Sequence, residues 1–155
     1  MAHRAARDRQ QAEDQMGDAP DKITGGCMCG AVRYEADEPP TTGSYCHCRM
    51  CQKIYGNLFG TFAIFRRGTF RVTCGEPKFY QSSEIAERGF CADCGTPLIM
   101  SVFGLDSIAA MVGSLDRPEE AQPKKHMGTE SQITWLAIDD HLPRMSTDEV
   151  YPAVD

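Results

Sequence analysis

No stretch of this sequence is apolar for long enough to cross a membrane as a helix, which takes about 20 residues. The first twenty residues also lack the central apolar run of a secretory signal. Arg4, Arg7 and Arg9 would suit a transit peptide, but Asp8, Glu13, Asp14 and Asp18 do not. A cytoplasmic location is therefore the expectation. Positive charge is short as well: 16 Lys and Arg stand against 22 Asp and Glu, a net charge of −6. That leaves no basic footprint for phosphate backbones or an acidic membrane surface. Neither nucleic acid nor a membrane is an expected partner, and a small-molecule substrate is. Nothing in the sequence bears on oligomeric state. A long helical period is missing too, which excludes a bundle or coiled coil.

What the sequence does have is cysteine, eight in 155 residues. The length suits one domain with a single core. In a reducing compartment eight thiols are not expected to form a disulfide framework, so their spacing becomes the main clue.

Residues 1–20 are polar and are expected to form a disordered tail, followed by a folded domain over 21–145 and a frayed tail over 146–155. Within the domain, short strands are predicted over 31–36, 58–65, 69–73, 78–81, 97–103 and 108–112, with turns such as Gly75-Glu76-Pro77 between them. Residues 52–56 read as a short helical turn closed by Gly56. Asp37 to Gly43 reads as a loop and Arg117 to Lys125 as a polar connection, while Ile133 to Ile138 fits a strand or a short helix around Trp135. The fold class is mainly β: a small zinc-stabilised domain of several short antiparallel strands with little helix.

Seven cysteines fall in three tight clusters: Cys27-x-Cys29, Cys46-x-Cys48-x-x-Cys51 and Cys91-x-x-Cys94. Two are followed at once by glycine, Gly30 and Gly95. Such turns let two sulfurs converge on one ion while backbone N–H groups face the thiolates. Seven sulfurs divide into four plus three. Cys27, Cys29, Cys91 and Cys94 make a closed structural zinc site that fastens segments roughly sixty residues apart. Cys46, Cys48 and Cys51 make a second site whose fourth tetrahedral position stays open, the mark of a catalytic zinc. Spacing alone also permits other pairings, an iron–sulfur cluster, or two purely structural zincs. His47 lies between ligand cysteines and is read as a residue pointing away from the metal, behind the site or on the surface. Cys74 stands apart.

On these residues the sequence resembles the glutathione-dependent formaldehyde-activating enzyme (GFA) family, also called the centromere-protein-V family. The motifs are Gly25-Gly26-Cys27-Met28-Cys29-Gly30-Ala31-Val32-Arg33-Tyr34, then Cys46-His47-Cys48-Arg49-Met50-Cys51-Gln52-Lys53, then Phe90-Cys91-Ala92-Asp93-Cys94-Gly95-Thr96-Pro97-Leu98. Weaker similarities follow at His126, Trp135 and Leu142-Pro143-Arg144. The resemblance implies the family's β-tent fold, two zincs per chain in the same four-plus-three division, and glutathione or another small thiol as co-substrate. It implies carbon–sulfur lyase activity, joining a thiol to a small aldehyde as in S-(hydroxymethyl)glutathione synthesis, with Cys46, Cys48 and Cys51 catalytic through the open site. The other reading is a non-enzymatic interaction module of the same fold. Glutathione carries two carboxylates, so a cationic rim is expected, with Arg49 and Lys53 first and Arg88 next. Tyr55 and Phe59 are candidates for the pocket wall or for plain core. The late segment departs from a typical member: Met127-Gly128-Thr129-Glu130 is polar where an apolar strand is expected, which weakens the case for this region in closing the site.

Overall fold

Alternating burial shapes the first hairpin. In strand β1 (Ile23–Gly26) the odd positions face inward, and in β2 (Arg33–Ala36) Tyr34 and Ala36 do. Side chains of a strand point alternately to opposite faces, so Arg33 and Glu35 are left outside. The computed structural model describes residues 22–151. The expected N-terminal tail lies outside the described residues, as do positions 152–155.

β1 pairs antiparallel with β2, and β2 with β5 (Phe70–Cys74), forming a three-stranded sheet. The remaining strands are β3 (Thr42–Cys46), β4 (Gly60–Arg66), β6 (Lys78–Gln81), β7 (Ala86–Phe90), β8 (Pro97–Val102), β9 (Ser107–Met111), β10 (His126–Met127) and β11 (Arg144–Met145). They make an eight-stranded sheet in the order β11-β10-β3-β4-β9-β8-β7-β6. The described residues also hold two short α-helices, α1 (Arg49–Tyr55) and α2 (Thr147–Val150), and four single 3-10 turns. The mainly β, helix-poor class expected from the sequence is the one observed. It has one qualification: β10 runs parallel to both β3 and β11, whereas every other pair is antiparallel.

The core lies between the two sheets. Tyr34, Phe65, Leu98 and Ile99 are almost fully buried there, each contributing on the order of 1.5–3 kcal/mol. The Tyr34 ring stacks on Phe70 at 5.0 Å, and its hydroxyl meets Ser114 Oγ at 2.6 Å. Gly25 must be glycine, because a Cβ there would lie 2.4 Å from the Tyr34 ring. A second buried cluster gathers Cys46, Cys51, Phe62 and Ala109.

Three local expectations change. Thr42 and Gly43, read as the end of a loop, open strand β3. Thr42-Gly43-Ser44-Tyr45-Cys46 has no apolar alternation, and pairing to β4 on one side and β10 on the other makes the strand. Residues 133–138 form neither strand nor helix, and Trp135 is 73% exposed. Residues 146–151, read as part of a tail, hold α2, which Ser146 and Glu149 close with a reciprocal capping box. No helix among the described residues is long and apolar enough to cross a membrane.

Candidate metal centres

The two glycine-closed knuckles are alike. Cys27 N–H donates to the Val32 carbonyl and Gly30 N–H to the Cys27 carbonyl; Cys91 N–H donates to Thr96 and Gly95 N–H to Cys91. Gly30 and Gly95 sit at φ of 79° and 74°, the left-handed region that glycine enters without penalty. Met28 N–H donates to Thr96 Oγ1 and ties one knuckle to the other. Their sulfurs therefore converge: Cys27, Cys29, Cys91 and Cys94 have Sγ atoms all within 4.8 Å of one another, with Cys27–Cys29 at 3.5 Å and Cys29–Cys91 at 3.8 Å. A tetrahedron with arms of about 2.3 Å has edges of about 3.8 Å, so the spacing suits a four-thiolate zinc. Val32 N–H donates to Cys27 Sγ at 3.2 Å and Thr96 Oγ1 lies 3.1 Å from Cys94 Sγ. The Thr96 hydroxyl brings the Cys94 pKa down to about 5. Cys29 accepts from Ala31 N–H, but Cys27 and Cys94 outweigh this and push it to about 12.

The triple is built differently. Cys46 ends β3, Cys48 caps α1 by accepting from Cys51 N–H at 3.4 Å, and Cys51 lies in the helix's first turn. A strand end running straight into a capped turn brings these three sulfurs together, again within 4.8 Å. Hydrogen bonds from Cys46 and Cys51 lower the Cys48 pKa to about 2, against the effect of burial. Cys48 raises Cys46 to about 11 against a lowering contact from Cys51, while Cys46 and then Cys48 raise Cys51 further, with burial adding to both. Three thiolates this close repel one another, so holding all three ionised needs a cation among them.

Arg88, on β7, supplies a positive charge at the triple. It is 5% exposed. Its Nε donates to Ser82 Oγ at 3.1 Å, one terminal nitrogen to the Tyr55 hydroxyl at 2.6 Å, and the other to Cys51 Sγ at 3.6 Å. Burial works against the guanidinium's charge, but Tyr55 and Cys51 more than offset it. Beside these sulfurs opens a hollow of about 140 Å³, walled by Met50, Phe62, Ile85, Ala86, Arg88, Met100, Val102, Met127 and Tyr151 among others. Ala86 pairs with Val102 and Arg88 with Met100, so one face of the β7–β8 ladder forms its floor.

Arg49 and Lys53 lie elsewhere. With Gln52 and Gly56 they line a separate shallow hollow, because positions 49, 52, 53 and 56 share one helical face while Cys51 points from another. Arg88, placed behind them in the sequence reading, is the cation at the sulfurs, and it is buried where a surface charge was the alternative. Tyr55 and Phe59 line a third hollow, not the one at the triple. Cys74 is exposed and belongs to neither cluster.

The late segment takes part after all. Met127 walls the hollow, and Gly128 lies so close to Cys48 that a Cβ would meet its backbone nitrogen at 2.7 Å. Glu130 accepts from Thr147 Oγ1 at 2.6 Å and so seats α2 beside the hollow. His47 and His126 are both fully buried and stacked, His47 Nε2 lying 2.8 Å from His126 Nδ1, and His126 Nε2 2.8 Å from Asp140 Oδ2. With both rings neutral, a carboxylate at Asp140 accepts from His126 Nε2, which leaves His126 Nδ1 to accept from His47 Nε2. His47 Nδ1 is then a buried acceptor without a partner among the described residues. Asp140 itself is held below the usual carboxylate range, since burial is outweighed by His126 and the Leu142 N–H. Sequence reasoning missed this chain because its members come from three distant segments; the histidines alone signalled it.

The family model described as "Glutathione-dependent formaldehyde-activating enzyme" matches residues 22–131. A Schizosaccharomyces pombe protein named "Uncharacterized lyase" is 36% identical over 76 residues, 48% of this chain and 53% of that protein, so the match spans about half of that relative's length. A Halomonas elongata protein named "Putative glutathione-dependent formaldehyde-activating enzyme" is 27% identical over 129 residues, 76% of this chain and 81% of that one. Among solved structures, the crystal structure of a Rhodobacter sphaeroides protein is similar at 26% identity with a TM-score of 0.52, covering 60% of this chain and 87% of that one.

Proposed function

The chain belongs to the glutathione-dependent formaldehyde-activating enzyme family, and from that premise we propose that it is a zinc-dependent carbon–sulfur lyase joining and separating a glutathione-like thiol and an aldehyde. The observation that carries this reading is the convergence of Cys46, Cys48 and Cys51 on the wall of a hollow with Arg88 beside them. Cys27, Cys29, Cys91 and Cys94 would hold one zinc and be saturated by it. Cys46, Cys48 and Cys51 would hold the other, and when bound there zinc offers a fourth tetrahedral position that keeps a thiol sulfur as thiolate near neutral pH.

The chain's own residues do the rest. Arg88 offsets the negative charge that three thiolates leave around a divalent ion. The apolar wall keeps water from competing with the thiol for the aldehyde. In the forward direction the thiol sulfur adds to the carbonyl carbon, one C–S bond forms, the carbonyl π pair moves to oxygen, and the thiol's proton ends there. The reverse breaks that bond. Nothing is oxidised or reduced.

The test is metal analysis with thiol titration. The purified protein is expected to carry two zincs per chain and to bind glutathione, and Cys48→Ser to retain one zinc and lose thiol binding. A Cys48→Ser protein with two zincs and unchanged binding would overturn the proposal.

A further inference from the structure

The hollow at the triple is much larger than an aldehyde as small as formaldehyde. Beside the three sulfurs, Phe62, Ile85, Val102 and three methionines, Met50, Met100 and Met127, give the wall its apolar character, with Ser83, Thr147 and Tyr151 as its neutral polar members. The one charged side chain there, Arg88, has donors committed to Ser82, Tyr55 and Cys51. Its volume of about 140 Å³ is close to that of a dry apolar cavity that takes benzene, about 150 Å³. Formaldehyde has two heavy atoms and would leave most of that space empty. A whole tripeptide thiol does not fit inside it, so only the group attached at sulfur enters. Methionine walls are adaptable and suit aliphatic or aromatic bodies alike.

We propose that the electrophile handled at this site is an aldehyde with an apolar body of about six or seven carbons, seated in the hollow with its carbonyl at the sulfurs. The inference rests on the thiol-adduct reading above. The reaction is the same balanced addition, giving a thiohemiacetal in which carbon gains sulfur and the former carbonyl oxygen gains the thiol's proton.

Binding of inert adduct mimics separates the two claims. The zinc-loaded full chain is titrated calorimetrically with glutathione and with its S-methyl, S-propyl, S-hexyl and S-decyl thioethers. Affinity is expected to rise about fourfold per methylene as far as six carbons, and to fall for S-decyl. Ala86→Leu, which narrows the floor, should move the optimum to a shorter chain, and Met100→Ala to a longer one. Equal or weaker binding of S-hexyl than of S-methyl, with glutathione still bound, overturns the apolar substrate alone. A chain-length gain that neither variant shifts places the alkyl group outside the hollow and overturns it too. Failure of glutathione and every thioether to bind removes the thiol-adduct reading along with it.

Discussion

At the scale of single residues, Arg88 decides most. Its guanidinium is buried with three partners, one of them a sulfur of the triple. Arg88→Met would leave the Tyr55 hydroxyl and Ser82 without their donor and the sulfurs without a counter-charge. Removing one partner of a buried charged network costs about 3–5 kcal/mol, and loss of a residue behind a metal ligand lowers metal affinity about 10–100-fold. Urea unfolding and competition with a chromophoric chelator should show both losses, with Arg88→Lys retaining charge but not the fork and falling between. A second prediction concerns pH. Glu35 is held below the usual carboxylate range first by Lys22 and also by Arg71, and Asp37 first by Arg71. Depressed carboxyls stabilise above their unfolded values, about 4.3 and 3.9, and the effect is lost as pH falls through the folded values. The difference in melting temperature between the native protein and E35Q/D37N should thus be small but widest near neutral pH. It should close below about pH 4 and shrink in about 1 M salt. A gap that widens on acidification would refute the assignment.

At the scale of elements, short β10 and the turn after it matter beyond their length. Sequence reading marked Met127 to Glu130 as a departure from the family pattern, because its polarity breaks the expected apolar strand. The pattern fails there for a physical reason: two-residue β10 is held by parallel pairing to β3 and β11, and Gly128 must turn left-handed at φ 65° against Cys48. Gly128→Ala would add left-handed strain of about 1–2 kcal/mol and push on the Cys48 backbone. Zinc at the triple should drop while zinc at the four-cysteine site persists, as counted by metal analysis. Gly68→Ala, where an added Cβ meets nothing within 4 Å, is the neutral control. Helix α1 shows the same dependence on register. Its glycine stop was legible, since Gly56 closes it at φ 56°; the assignment of Arg49 and Lys53 to the sulfur site was not. Closeness in sequence put them beside Cys48 and Cys51, and the 3.6-residue period turned them to another face.

At the scale of the whole molecule, the two clusters differ in what they connect. Cys27 and Cys29 follow β1 in the three-stranded sheet, whereas Cys91 and Cys94 join β7 to β8 in the eight-stranded one. A metal held by the four sulfurs would therefore fasten sheet to sheet, while the triple lies within β3 and α1. Chelation should remove zinc in two phases, the first leaving far-ultraviolet circular dichroism unchanged and the second coinciding with cooperative unfolding. Cys91→Ser should accumulate poorly or unfold at much lower temperature, and Cys48→Ser should melt close to the native protein. Refilling the triple should release protons, because its sulfurs do not all ionise without a cation. The sequence by itself determined the β class and the three tight cysteine clusters, because period-two burial and tight cysteine turns are local geometry; that the first and third clusters meet at one site was decided by tertiary structure. The parallel β10 edge, Arg88 behind Cys51, the Asp140–His126–His47 chain and the apolar hollow came only from tertiary structure, because each depends on strand order and register between segments that no local spacing encodes.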